Sequence, residues 1–156
     1  AVTNLSAKNV ALFAISCLMY LICGYAIMYG GGYFLQGIEA VDVAEVLATS
    51  AENGFDGDSV YSGASDFFFQ VVFVATAMSI VSGAVAERMK LWAFLAFAVV
   101  MTAIIYPMEG SWTWGGNDVF GMFNLGDAGF SDFAGSGIVH MAGAAAALAA
   151  AKAAAA

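Results

Sequence analysis

Four long apolar runs dominate the chain, at about residues 9–33, 67–86, 91–108 and 133–156. A helix needs roughly 20 apolar residues to cross the hydrocarbon core of a bilayer. In lipid every backbone N–H and C=O must find its partner inside the segment, so runs of this kind fold as helices. The expected fold is an all-α membrane protein, a polytopic transmembrane helix bundle with four spans. Composition removes the soluble alternative, because the sequence is 62% hydrophobic and 10% charged, against roughly 25% charged in soluble domains. The run after Lys8 is too long for the apolar region of a signal peptide and lacks a small-residue cleavage pattern. Cys17 and Cys23 lie six apart in the first run, on different helix faces. Neither a disulfide nor a metal site is expected from them, and no cofactor is implied.

The charges are segregated. Between the first two runs, residues 36–66 carry Glu39, Asp42, Glu45, Glu52, Asp56, Asp58 and Asp66 with no lysine or arginine. This is an acidic, solvent-exposed loop. The spacing of Val41, Ala44 and Leu47 predicts a short surface helix in it, and Asn53 to Asp58 has turn chemistry. With four spans, the basic residues Lys8, Arg88, Lys90 and Lys152 all fall on one side. The positive-inside rule then places the termini in the cytoplasm and the acidic loop outside the cell, in a multi-pass cell-membrane protein. Asn4-Leu5-Ser6 is on the wrong side for glycosylation. No basic patch supports nucleic-acid binding.

One stretch carries chemistry: Asp132-Phe133-Ala134-Gly135-Ser136-Gly137-Ile138-Val139-His140. It opens the last run with an acid and sets the only histidine eight residues deeper, about 12 Å along a helix. Ionisable groups at such depth are functional candidates. Asp132 also reads as a helix N-cap, its carboxylate accepting free N–H groups near Gly135. Small residues four apart on the second span, Ser79 with Gly83 and Ser82 with Ala86, suggest close helix packing there. Pro107 reads as a terminator of the third span. From Ala144 to Ala156 only Leu148 and Lys152 are not alanine, which suggests a truncated or partly unassigned chain.

The Asp132-to-His140 stretch resembles the signature of the ammonium transporter family (Amt/Mep/Rh). Three further stretches agree with it in order: Cys23-Gly24-Tyr25 to Gly30, Phe69-Gln70 through Gly83 and Glu87-Arg88 to Phe94, and Trp112-Thr113-Trp114-Gly115-Gly116. The resemblance implies a homotrimer, each protomer holding a pore built from about eleven helices in two inverted halves, with this chain matching helices two to five. By analogy Phe69 is an outer gating phenylalanine, Trp114 the vestibule tryptophan, Asp132 the acid of the signature and His140 the first of two pore histidines. Seventeen residues separate Trp114 from Asp132, more than the family pattern, so Trp112 is a rival for the vestibule position. The second histidine, second gate phenylalanine and vestibule serine belong to the later half of the family fold.

The implied activity is ammonium transport, not enzymatic catalysis, with ammonium or ammonia and the lipid bilayer as partners. Ammonium and potassium are alike in size and charge, so selection must use hydrogen-bond donation and a removable proton. An aromatic cage holds the cation by cation–π attraction, worth ~0.5–2 kcal/mol. Carrying it onward as an ion costs several kcal/mol, and deprotonation removes most of that barrier. An imidazole, which titrates near neutral pH, can pass the proton on. The alternative function is an ammonium sensor that couples the same vestibule to a cytoplasmic domain or regulatory partner. Bland alternatives stand beside each residue: His140 as a packing histidine, Phe67 to Phe69 and Phe73 as lipid-facing or core aromatics, and both tryptophans as an interfacial belt.

Overall fold

The computed structural model describes residues 2–30, 62–115 and 124–155, and every regular element among them is helical. Four rods are long and apolar enough to cross a membrane: Leu5–Tyr29, Gly63–Ala84, Leu91–Ser111 and Ile138–Ala155. Large apolar side chains such as Val10, Leu18, Val72 and Trp92 remain exposed around the bundle. That is the pattern of helices facing lipid as well as each other.

The first rod is α1 (Val2–Met19), a π-helical turn at Tyr20–Gly24 and α2 (Tyr25–Tyr29). It stops at Gly30, whose φ of 72° lets its N–H reach back to the Ala26 carbonyl. The acidic segment expected at 36–66 lies outside the described residues as far as residue 61. Its last acid, Asp66, sits in the first turn of α3 (Gly63–Ala84). Ser62 caps that helix, its hydroxyl accepting from the Ser65 N–H at 3.1 Å, and a carboxylate in the first turn suits the positive helix end.

A tight turn at residues 85–90, with Glu87 at φ 63°, leads into the third rod. This consists of α4 (Leu91–Val100), a π-helical turn at Met101–Ile105 and α5 (Tyr106–Ser111). Pro107 does not terminate the rod as expected, but lies buried where the helix resumes after the π turn. Proline has no N–H for the carbonyl four residues back, here that of Ala103. Cys23 Sγ stands 3.6 Å from the Ala103 oxygen and equally far from the Met19 oxygen, so a thiol from the first rod can meet the carbonyl that Pro107 leaves.

The last rod, α6 (Ile138–Ala155), makes its broadest contact with α3. The close approach occurs at Gly143, where an added Cβ would stand 2.8 Å from Ile80 Cδ1 and 3.0 Å from the Ala77 carbonyl. Of the small residues expected to do this, Ser82 is buried and Ala86 half-buried. Ser79 and Gly83 are exposed, and nothing among the described residues stands within 4 Å of a Cβ placed on Gly83. At one end of the bundle Lys8 donates to the Ser82 carbonyl at 3.1 Å and lies 5.6 Å from the centre of the Phe94 ring. Arg88 and Lys90 in the turn, and Lys152 in the last turn of α6, share that end.

Candidate functional site

The opposite end of the bundle is built around Asp132. Its Oδ1 accepts from the Gly135 N–H at 2.9 Å, and its Oδ2 from Gly137 and Ile138 at 2.9 and 2.8 Å. Helix starts leave N–H groups without partners inside the helix, and one carboxylate supplies three acceptor contacts for them. The fold therefore uses Asp132 as the cap its position suggested. Gly135 makes the geometry accessible with a φ of 73°, and a Cβ there would lie 2.8 Å from Val139 Cγ2 and 2.9 Å from the Trp114 ring. Only glycine lets the chain pass so near the indole.

The same residue fixes that indole. Trp114 Nε1 donates to the Asp132 backbone carbonyl at 2.7 Å. From Trp114 a chain of rings runs along α3: Phe73 lies 5.8 Å from Trp114 between centroids, and Phe69 lies 5.1 Å from Phe73 in edge-to-face contact. Such pairs add ~0.5–1.5 kcal/mol beyond the area they bury. Together they line an open cleft of about 590 Å³, with Asp66 and Gln70 on the α3 wall and Asp132 opposite.

Of the residues singled out from sequence, Phe69, Trp114 and Asp132 come together here. Phe69 is 60% exposed and forms the outer rim. Trp112 is not among the residues lining the cleft, and its carbonyl instead accepts from the Leu125 N–H at 2.7 Å. His140 is not in the cleft either. It is exposed on α6, on one stripe with Ala144 and Leu148, which are also exposed. It is therefore not a histidine packed into this bundle. Sequence reasoning left Phe73 among the lipid-facing or core aromatics, although it lies one turn beyond Phe69 on the same helix face and is the ring that touches Trp114. Asp66 and Gln70, at positions i and i+4 on that face, were also passed over.

Other polar groups at this end are buried without hydrogen bonds, namely the Tyr106 hydroxyl and both Glu109 carboxyl oxygens. Among the described residues no group of three or more His, Cys, Asp or Glu side chains could hold a metal ion.

Comparison with known proteins shows the family. The model of the Ammonium Transporter Family matches residues 1–155. The chain belongs to this family. Among its relatives in the ammonium transporter family, Amt2 of Archaeoglobus fulgidus is 38% identical over 96% of this chain and 31% of its own length. Amt1 of Haloferax mediterranei is 40% identical over 97% of this chain and 28% of its length. A protein of Synechocystis described as a putative ammonium transporter is 39% identical over 94% of the chain and 31% of its length. The chain thus spans about a third of the length of the curated ammonium transporters it matches. No solved structure matches it.

Proposed function

We propose that this chain forms part of an ammonium transporter in which the Trp114–Phe73–Phe69 cleft receives the cation and His140 takes part in moving its proton. The observation that carries this reading is the ring chain ending on an indole hydrogen-bonded at 2.7 Å to the residue that caps the His140 helix. One short structure joins an aromatic surface to the helix that bears the only imidazole. The names of the relatives supply ammonium as the substrate.

In this reading the rings hold the cation by their π faces. Deprotonation follows, since crossing an apolar constriction as an ion is costly, and ammonia passes on while His140 relays the proton. The clustering of Lys8, Arg88, Lys90 and Lys152 at the far end supports cytoplasmic termini and an outward-facing cleft. The exposed stripe carrying His140 is where further helices of a longer transporter would close a pore. A homotrimer of such protomers completes the reading.

The test is uptake of ammonium by the full-length protein in proteoliposomes, comparing parent, Trp114→Leu, Trp112→Leu and His140→Ala. Loss of uptake in Trp114→Leu and His140→Ala but not in Trp112→Leu is expected. Parental current in His140→Ala, with potassium still excluded, would remove His140 from the proton step.

A further inference from the structure

The α3 wall of the cleft holds two hydrogen-bond acceptors that the aromatic site does not use. Asp66 and Gln70 are four residues apart on α3 and both line the cleft. At that spacing helix side chains are neighbours, with Cβ atoms about 5–6 Å apart. Asp66 is oriented by the Tyr25 hydroxyl, which donates to its Oδ2 at 3.0 Å. Tyr25 is itself locked among rings, 4.8 Å from Tyr29 and 5.8 Å from both Tyr20 and Phe67. A rigid aromatic framework thus sets the direction of one half-buried acid.

Gln70 supplies a second, independent observation at this wall. Only 6% of the residue is exposed, yet its amide oxygen Oε1 has no hydrogen-bond partner. A buried acceptor left unpaired costs about 1–3 kcal/mol, so the position is unfavourable unless a donor arrives. The last torsion of a glutamine is broad and two-fold. The amide can therefore re-aim its oxygen, and the residue lines the cleft.

We propose that Asp66 and Gln70 form a hydrogen-bonding subsite that takes two N–H groups of one entering ammonium ion, one at the carboxylate and one at the amide oxygen. This rests on the ammonium reading above. A tetrahedral nitrogen that donates to two oxygens at about 2.9 Å each holds them roughly 4.7 Å apart. Two flexible side chains whose Cβ atoms lie about 5–6 Å apart can bring their terminal oxygens to that separation. A tetrahedral cation can make both bonds and still present an N–H to the Phe73 and Trp114 faces. The rings supply π attraction, and the α3 acceptors supply direction.

The experiment is the concentration dependence of ammonium uptake by the full-length protein in proteoliposomes, for the parent, Asp66→Asn, Gln70→Met, the double variant and Tyr25→Phe. Each single variant loses one hydrogen bond to a charged ligand, so its half-saturating concentration rises about tenfold, more than its maximal rate falls. The double variant rises by less than the product of the two, because both side chains hold the same ion. Tyr25→Phe shifts half-saturation in the same direction but less, since it only frees the carboxylate. A purely structural role would lower the amount of folded protein and the maximal rate while leaving half-saturation in place. That result in both single variants, with a saturable parent, overturns the subsite and leaves the ammonium reading standing. A parent without saturable ammonium uptake overturns the ammonium reading and the subsite with it.

Discussion

The two ends of the Asp132-to-His140 stretch behave differently. At its start every acceptor of the acid is engaged: three backbone N–H groups on the carboxylate and the Trp114 indole on the carbonyl. Two turns further along, the imidazole stands on an exposed apolar stripe. One short motif therefore combines a residue committed to architecture with one left available for chemistry. From spacing alone both were ionisable groups in one apolar run, and only the hydrogen bonds tell them apart.

The sharpest way to break this contrast is His140→Ala in the full-length protein. Ammonium transport should fall at least ~100-fold, the usual lower bound for a positioned proton-transfer group, while the thermal midpoint in detergent stays with the parent. A lowered midpoint would move His140 to the architectural side. Asp132→Ala should do the reverse, costing ~2 kcal/mol in denaturant unfolding, the upper range for a lost cap. Asp132→Asn, which keeps an acceptor oxygen, should cost less, and equal losses from the two would mean that the charge acts beyond capping.

Gly135→Ala tests the same turn from the backbone side. A left-handed conformation costs a residue with a Cβ about 1–2 kcal/mol, and the added carbon meets the indole, so Trp114 fluorescence should shift along with stability. Trp114→Phe keeps the ring but loses the bond to Asp132, an expected cost of about 1 kcal/mol, while Trp112→Phe should leave the spectral signature of the cleft in place. The smallest effect belongs to Tyr106→Phe. It removes a buried hydroxyl that has no partner, and stability should hold or rise within about 0.5 kcal/mol.

What could be read in advance follows from the range of the forces involved. The apolar runs announced the helices because bilayer length and backbone satisfaction are local requirements. The Asp132 cap was legible for the same reason, its partners lying three to six residues away. Which of Trp112 and Trp114 lines the cleft was not, since a bond from Trp114 to Asp132, far along the chain, fixes it. Phe73 was recoverable from its i,i+4 relation to Phe69, but the sequence shows four similar phenylalanines and does not mark which one meets an indole. Pro107 misled because the π turn before it absorbs the missing N–H, and Cys23, far away in sequence, faces the freed carbonyl. Of the small residues, Gly83 is exposed while Ser82 and Gly143 are buried, because a small residue permits contact only where a neighbour is present.

Gly143 has a consequence for the spacing between His140 and the cleft. It lies three residues beyond His140 on α6, about 4.5 Å along the axis, and bears on Ile80 and Ala77 of the helix that carries Phe69 and Phe73. This joint sets how the imidazole and the rings stand relative to each other. A single methyl group inserted there would have to push Ile80 or the Ala77 carbonyl aside, changing the gap between them with no atom of either touched. That gap is thus held at a residue that has no side chain.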